Sequence, residues 1–254
     1  MENGTVIIAA RNLKKSFRTG ETEQTIINGL DLDIRKGDFT VIMGSSGAGK
    51  STLLYSLSGM DKPTSGSIDF CGEDITKYNA DKLAIFRRKH CGFVFQQIYL
   101  LDKMSLMDNA LTAGLLVGGK KKEVAARAAE LFDKVNLPEV TRKKFPSQIS
   151  GGEAQRAGIV RAVINNPEVL FADEPTGALN SNNSDAVLDV FSELSDGGQS
   201  IIMVTHDKKS ALRGNRVIYL RDGKIFGECD LGRYTPDNAE RSEKLNAFLT
   251  EMNW

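Results

Sequence analysis

The stretch at residues 44–52, "GSSGAGKST", decides the fold class of this chain. It fits the pattern G-x-x-x-x-G-K-[ST], follows the apolar run "FTVIM" and opens a segment with helical spacing, "GKSTLLYSLSGM". Gly44, Gly47 and Gly49 permit backbone turns that a Cβ would forbid, so successive N–H groups can point at bound phosphates. A strand, this loop and a helix in that order predict a phosphate-binding loop in an α/β fold.

Two side chains of this phosphate loop, residues 44–52, have expected chemical roles. Lys50 supplies a positive charge to the β- and γ-phosphates of a nucleotide, and we expect it to act in catalysis. The Ser51 hydroxyl is placed to ligate Mg²⁺. The candidate nucleotide-binding residues of the loop are Gly44, Ser45, Ser46, Gly47, Ala48, Gly49, Lys50, Ser51 and Thr52.

An acidic pair, Asp173 and Glu174, ends the apolar run in "VLFADEP", residues 169–175. Acids at the end of a strand are often a helix cap or a surface pair, but their occurrence together with the phosphate loop favours a functional interpretation. At that position one acid can hold the water shell of Mg²⁺ while the next reaches the γ-phosphate. We expect Asp173 to bind Mg²⁺ and Glu174 to act as the general base on the attacking water.

His206 ends a second apolar run, "IIMVTHD". A lone histidine at a strand end is more often structural. If its strand and that of Asp173 both flank the strand of the phosphate loop, His206 reaches the γ-phosphate from the side opposite Lys50. We therefore interpret His206 as a catalytic residue that holds the water and a γ-oxygen in line.

The stretch "QISGGEAQRAGIVRA", residues 148–162, contains a second phosphate-binding feature. Ser150 fits a helix N-cap, and Gly151 and Gly152 leave backbone N–H groups uncovered at the helix start, before Glu153. The segment lacks the strand and lysine of a complete site. It is either a plain helix entry or a half-site, meaning a set of residues that completes the nucleotide site of another chain. The half-site interpretation predicts that residues 150–153 bind nucleotide held by a second copy in a head-to-tail homodimer.

The composition excludes several classes of protein. The chain has 254 residues, and its 33 Lys and Arg balance 33 Asp and Glu, so no overall charge points to nucleic acid. Three cysteines without metal-ligand spacing (Cys71, Cys91, Cys229) are expected to be small buried side chains in a reducing cytoplasm. No apolar run approaches the ~18 residues that cross a bilayer.

The apolar pattern predicts the order of the elements. The first third is rich in strands, residues 82–136 have mostly helical spacing, and the last third alternates strands with a helix. The segment "RVIYLRDGKIFGE" predicts a hairpin at an Asp-Gly turn. A terminal helix is predicted to dock through one apolar face formed by Leu245, Phe248, Leu249 and Met252.

The ordered set "GSSGAGKST", "ISGGEAQR", "LFADEP" and "VTHD" resembles the ATP-binding cassette family, the nucleotide-binding subunits of ABC transporters, over nearly the whole chain. The resemblance implies an α/β fold: a P-loop NTPase core with a mostly parallel sheet, an N-terminal antiparallel β subdomain and an inserted helical subdomain. It places the β-rich and RecA-like core at residues 1–86 and 155–235, the helical and signature part at 87–154 and a C-terminal helix at 236–254.

The resemblance also assigns residues outside the main motifs. It implies that Phe17 stacks on adenine, where the family usually has Tyr, and that Gln96 contacts Mg²⁺ and the attacking water. By chemistry alone Gln97 competes with Gln96. Two departures from the family are Ile149 in place of Leu, which keeps an apolar contact, and Asn180 in place of Asp, which loses a charge.

The resemblance implies an ATPase with ATP and Mg²⁺ as cofactors, working as a homodimer around two Mg-ATP. It further implies a separate integral membrane permease, docked on residues 96–101 and the helical insertion at the cytoplasmic face of the membrane. "GFVFQQIYLL" and "ADEPTGAL" are similar to macrolide exporters of the MacB kind, lipoprotein-releasing complexes and antimicrobial-peptide exporters. A non-transporting ATPase of the cell-division FtsE type is the alternative. A P-loop kinase or GTPase acting on its own would predict a substrate-phosphate site or an N-K-x-D guanine motif, and it is disfavoured because no such motif occurs.

Overall fold

The computed structural model describes residues 4–20, 22–236 and 238–254. Outside it lie residues 1–3 and 21, which belong to the predicted strand-rich part, and residue 237, which belongs to the predicted terminal segment. In chain order the strands are β1 (Val6–Thr19), β2 (Thr22–Arg35), β3 (Phe39–Met43), β4 (Ser65–Phe70), β5 (Glu73–Asp74), β6 (Cys91–Phe95), β7 (Val169–Asp173), β8 (Ser200–Val204), β9 (Arg216–Arg221) and β10 (Lys224–Asp230). The helices are α1 (Lys50–Leu57), α2 (Ala80–His90), α3 (Leu106–Leu115), α4 (Lys121–Lys134), α5 (Glu139–Arg142), α6 (Gly151–Val163), α7 (Ser181–Asp196), α8 (Lys208–Ala211) and α9 (Ala239–Glu251).

A six-stranded sheet in the order β10-β9-β3-β8-β7-β6 forms the centre of the molecule. All its neighbouring pairs are parallel except β10 and β9. Every residue of β3 and β8 is buried, because "FTVIM" and "SIIMV" are continuous apolar or small runs that suit a strand covered on both faces. The predicted mostly parallel α/β core is confirmed.

A smaller antiparallel sheet, in the order β2-β1-β4-β5, covers one face of this core. The two sheets share one apolar cluster, in which Ile8 and Phe70 of the small sheet join Leu53 of α1 and Phe171 of β7. The register of β1 against β4 shifts between Arg11 and Lys14. The predicted N-terminal antiparallel part is therefore present, and α1 lies between the two sheets.

Helices α3, α4 and α6 pack together over the opposite face of the main sheet. Their buried side chains include Leu106, Ala110, Ala128 and Phe132, which join one cluster with Ala172 of β7. Within the segment predicted to be helical, however, "CGFVF" forms β6, the edge strand that pairs with β7. The segment is mostly helical as predicted, through α2, α3 and α4, but the sequence did not reveal β6. A five-residue apolar run fits either element, and only the pairing with β7 decides between them.

The order of the strands also differs from the arrangement expected for His206. β8, which precedes His206, lies next to β3, but β7 lies one strand further out, and β9 occupies the other side of β3. The condition that both strands flank β3 is therefore not met. Because β3, β8 and β7 are all parallel, their carboxyl ends still share one edge of the sheet.

The C-terminal part follows the predicted pattern. β9 and β10 form a hairpin whose turn residues Asp222 and Gly223 have φ values of 49° and 70°, as an Asp-Gly turn requires. Helix α9 then docks on the sheet through the predicted apolar face, with the buried residues Leu245, Phe248, Leu249 and Met252. No helix in the described part of the chain is long and apolar enough to cross a membrane.

The three cysteines do not share one environment. Cys91 and Cys229 are buried as expected, but Cys71 is exposed because it lies in the turn after β4, with φ of 53°. All three are free thiols.

Arg241 fastens α9 to the core. It is only 4% exposed, and its guanidinium donates to the carbonyl oxygens of Leu212 (2.7 Å), Leu231 (2.7 Å) and Gly232 (3.0 Å).

We expect Arg241→Met to lower the free energy of unfolding by about 3 kcal/mol, because buried carbonyls lose their donors. Arg233→Met, at an exposed arginine paired with Asp196, should change it by less than about 0.5 kcal/mol. Urea unfolding checks both values, and equal effects would contradict this account of Arg241.

Candidate active site

The candidate site lies at the carboxyl edge of the main sheet, where three parallel strands end together. Val204, the last residue of β8, pairs with Ile42 of β3 on one side and with Asp173 of β7 on the other. Beyond the strands, the N–H of Glu174 donates to the Val204 carbonyl at 2.9 Å. This register brings the phosphate loop, the acidic pair and His206 to one place.

The phosphate loop has the backbone that its glycines predict. Gly44, Gly47 and Gly49 have φ values of 151°, 79° and 97°. A Cβ on Gly44 would lie 2.2 Å from the carbonyl oxygen of Leu220, so only glycine fits there. Gly49 is the N-cap of α1 and has no side chain, which leaves the first N–H groups of that helix free to face an anion.

Lys50, the first residue of α1, folds back over the loop. Its ammonium donates to the carbonyl oxygens of Gly44 (2.8 Å) and Ser45 (2.9 Å). Burial lowers the pKa of Lys50, and the nearby carboxylates of Glu174 and Asp173 partly oppose this shift. The acids therefore stabilise the charged ammonium in a half-buried place, where its interaction with a phosphate is stronger than in water.

Asp173 receives a hydrogen bond on each carboxylate oxygen, and both donors belong to α1. The Ser51 hydroxyl donates to Oδ1 at 2.9 Å, and the Tyr55 hydroxyl donates to Oδ2 at 2.6 Å. Burial and the Asp173 carboxylate raise the pKa of Tyr55, so its hydroxyl stays protonated as a donor. Tyr55 belongs to none of the sequence motifs, although its i+4 spacing from Ser51 puts both side chains on one face of α1.

The donor set at Ser51 and Asp173 fits Mg²⁺. A hydroxyl and a carboxylate are the hard oxygen ligands that this ion prefers, and it usually completes its shell with substrate phosphates and water rather than with many side chains. The described residues contain no group of three or more His, Cys, Asp or Glu side chains arranged to hold a metal by themselves. Ser51 and Asp173 are thus brought together as the sequence predicts.

Gln96 lies directly after β6, in the position next to the acidic pair. Phe95 pairs with Asp173, so Gln96 continues the chain beside Glu174. Its exposed side chain lies against Gly177, where an added Cβ would be 3.0 Å from Gln96 Nε2. Gln96 is therefore near the acids, while no hydrogen bond in the described part of the chain joins it to Asp173.

Glu174 and His206 contact each other across the sheet edge. Glu174 Oε1 lies 2.9 Å from His206 Nδ1, and the side chains of Glu174 and His206 are 20% and 69% exposed. The backbone of Glu174 has φ of 49°, a left-handed conformation that is costly for a residue with a Cβ. This turn ends the alternation of β7, and it lets Glu174 reach His206 instead of continuing along the strand.

The helix start at residues 150–153 is fixed by a reciprocal cap. The Glu153 N–H donates to Ser150 Oγ at 3.3 Å, and Glu153 Oε2 accepts the Ser150 N–H at 2.8 Å. This backbone hydrogen bond lowers the pKa of Glu153. No hydrogen bond or ion pair between described residues joins this helix start to the phosphate loop.

Gly151 and Gly152 of this helix start differ in exposure. Gly151 is exposed, whereas Gly152 is buried against α7, where an added Cβ would lie 2.7 Å from Asn183 Oδ1. Asn180, which stands where the family has Asp, caps α7, because its Oδ1 accepts the Asn183 N–H at 3.0 Å. Asn180 and Gly152 therefore both lie beside Asn183.

Phe17 presents an aromatic ring on β1. The ring is 45% exposed, and the ammonium of Lys15 lies 4.8 Å from its centroid. Lys15 is held in turn by an ion pair with Asp61 at 2.6 Å. The ring thus has a charged neighbour and an exposed part that can stack on a base.

A phosphate loop that faces a carboxylate able to act as a base is the arrangement of a nucleotide-hydrolysing P-loop protein. Residues 27–177 match the family described as "ABC transporter". The chain therefore belongs to this family, and it is an ATP-binding, ATP-hydrolysing cassette.

Two relatives and one solved structure define the similarity. The chain is 41% identical over 222 residues to the lipoprotein-releasing system ATP-binding protein LolD of Aquifex aeolicus, covering 87% of this chain and 97% of that protein. It is 40% identical over 223 residues to the macrolide export ATP-binding/permease protein MacB of Nitrosomonas europaea, covering 87% of this chain but 34% of that protein. A dimeric ATP-binding cassette in a post-hydrolysis state, bound to ADP and Pi, superposes with a TM-score of 0.82 at 33% identity, covering 89% of this chain and 100% of that one.

The left-handed backbone at Glu174 is open to a direct test. Glu174→Ala removes the carboxylate and keeps the strain, whereas Glu174→Gly removes both. We expect the glycine variant to be more stable than the alanine variant by about 1 kcal/mol, since glycine adopts this conformation without a Cβ clash. Urea unfolding compares the two, and an alanine variant as stable as the glycine variant would show that the turn stores no strain.

Proposed function

We propose that this chain is the ATPase subunit of a bacterial ABC exporter, in which two copies close around two Mg-ATP and drive a separate integral membrane permease. The observation that carries the proposal is the sheet edge where Lys50, Asp173 and Glu174 lie together. No hydrogen bond or ion pair between described residues joins this edge to the helix start at 150–153. The LolD and MacB relatives favour the exporter branch. The subunit would work at the cytoplasmic face of the membrane, bound to its permease.

The proposed nucleotide site follows the chain from Phe17 to the acidic pair. The ring of Phe17 stacks on adenine, and the backbone N–H groups of residues 44–52 bind the phosphates. Lys50 exchanges its two carbonyl partners for phosphate oxygens. Ser51, Asp173 and Gln96 would hold Mg²⁺, which when bound neutralises negative charge on the phosphates.

Glu174 is the proposed base. A water oxygen attacks the γ-phosphorus, the bond from that phosphorus to the β–γ bridging oxygen breaks, and Glu174 accepts the proton of the water. His206, 2.9 Å from Glu174, would hold the base and the γ-phosphate in line. Lys50 stabilises the charge that develops on the γ-phosphate and on the leaving oxygen.

The helix start at residues 150–153 is the proposed half-site for the nucleotide of the second copy. Helix α6 has 13 residues, so its first N–H groups carry a positive partial charge toward an anion. The reciprocal cap fixes Ser150, and Gly151 leaves the backbone accessible. Since this surface is separate from the phosphate loop of its own chain, a head-to-tail pair of chains would complete two sites. The similar solved structure is a dimer bound to ADP and Pi, which supports a dimer of this chain.

Light scattering tests the half-site. Glu174→Gln removes the base but keeps the size of the side chain, so we expect it to form a dimer in Mg-ATP while the wild type hydrolyses ATP and returns to monomer. Adding Ser150→Asp to that variant keeps a good N-cap but brings a negative charge toward the γ-phosphate, and it should abolish the dimer. A double variant that still dimerises with ATP would rule out the half-site.

The proposed division of the chain assigns different tasks to its parts. Residues 1–86 and 155–235 would form the nucleotide-binding core, residues 87–154 the part that meets the permease, and residues 236–254 the terminal helix. The edge strand β6 is the exception, because it belongs to the main sheet although it falls within 87–154.

A groove beside Gln96 is the proposed docking site for the permease. It encloses about 530 Å³ between α2, β6, α3 and α6. Tyr99 and Leu116 line it and are 64% and 58% exposed, and Leu101 is exposed nearby. The mixture of apolar side chains with the arginines Arg87, Arg88 and Arg161 suits an amphipathic helix from a membrane protein. Its position next to Gln96 would link the permease to the acids.

Co-purification from solubilised membranes tests the docking groove. We expect Leu116→Glu to lose at least about tenfold of the permease that the tagged wild-type subunit retains, because a charge replaces an apolar contact. Val140→Glu is the matched control, since Val140 is 68% exposed and does not line the groove. Equal retention by the two variants would place the permease elsewhere.

A further inference from the structure

Tyr55 belongs to no motif of the phosphate loop, yet it contacts the acid proposed to bind Mg²⁺. Its hydroxyl lies 2.6 Å from Asp173 Oδ2, while Ser51 Oγ lies 2.9 Å from Asp173 Oδ1. These are the two side-chain hydrogen bonds that the carboxylate receives from the described residues. Asp173 thus has one donor on each oxygen, and both donors come from the same face of α1.

This arrangement fixes the rotation of the carboxylate. With both oxygens bonded to one rigid helix, the plane of the Asp173 carboxyl group follows α1 and therefore the phosphate loop that opens it. Without the Tyr55 hydroxyl, the Asp173 carboxylate would be held only by the hydrogen bond from Ser51 and could rotate about that bond. Partners that orient a metal-binding carboxylate typically change metal affinity by 10–100-fold when they are removed.

We propose that Tyr55 is a positioning residue for Mg²⁺: it holds the Asp173 carboxylate in the orientation in which Ser51 and Asp173 receive the metal that accompanies ATP. This inference rests on the proposed function, because it assumes that Asp173 serves the metal. In this role Tyr55 acts through Asp173 and is not proposed as a ligand of the ion. Its effect is on the preference of the site for Mg-ATP over metal-free ATP.

The test compares nucleotide affinity with and without the metal. The dissociation constant of a fluorescent, non-hydrolysable ATP analogue is measured in Mg²⁺ and in EDTA for the wild type, Tyr55→Phe and Tyr78→Phe. Tyr78→Phe is the matched control, because it removes a hydroxyl that donates to another carboxylate, that of Glu73 in β5. Thermal unfolding of each variant verifies that it is folded.

We expect Tyr55→Phe to weaken binding about tenfold in Mg²⁺ and by less than about twofold in EDTA, while Tyr78→Phe matches the wild type in both. If Tyr55→Phe lost equal affinity in Mg²⁺ and in EDTA, the role of Tyr55 would be purely structural and the inference would be overturned. A Tyr55→Phe variant that bound the analogue as tightly as the wild type in both conditions would overturn it as well. A wild type that itself binds the analogue equally well in Mg²⁺ and EDTA would instead overturn the proposed Mg-ATP site, and this inference with it.

A second measurement leaves the hydroxyl in place. 3-Fluorotyrosine incorporated at position 55 keeps the hydrogen bond, and its ¹⁹F resonance reports the surroundings of the ring. We expect this resonance to move when Mg²⁺ is added to the nucleotide-bound protein, because the metal changes the charge next to Asp173. A resonance unaffected by Mg²⁺ would contradict the proposal even if Tyr55→Phe failed to fold.

Discussion

The parallel hydrogen bonds between β3, β8 and β7 are the constraint on which the rest of the site depends. They align three strands whose sequences are far apart, so that the phosphate loop, His206 and the acidic pair follow the same edge of the sheet. A shift of one residue in this register would turn each side chain to the opposite face and separate Ser51 from Asp173. The burial of these strands on both faces, under the small sheet on one side and α3, α4 and α6 on the other, holds that register.

The charges at this edge bear on the proposal that one chain carries two phosphate-binding features. The loop offers Lys50 and the start of α1, but the same edge also carries two carboxylates, Asp173 and Glu174, which repel a triphosphate. A metal ion and further hydrogen-bond donors would offset that repulsion. The helix start at residues 150–153 supplies donors, yet in its own chain it lies apart from the loop. Under the proposed function, a site completed by a second copy would account for both features, and closure of the dimer would depend on nucleotide.

The sequence predicts those parts of the molecule in which chemistry and local spacing coincide. The phosphate loop is a short pattern whose glycines have the unusual backbone angles that the pattern implies, and the mostly parallel core follows from continuous apolar runs. What the sequence did not reveal depends on contacts between distant segments: the pairing that makes Cys91–Phe95 a strand, the place of β8 between β3 and β7, and the bond from Tyr55 to Asp173. Local spacing carries no information about which distant strand or carboxylate a side chain will meet.

The central claim, that each active site is built from two chains, is tested most directly by mixing two inactive variants. Lys50→Ala disables the phosphate loop and Ser150→Asp disables the helix start, and ATP hydrolysis is measured for each alone and for an equal mixture. If the sites are shared, each mixed dimer has one intact site of two, and with random pairing about a quarter of all sites should work, well above either variant alone. Activity no greater than the average of the two separate variants would contradict the account.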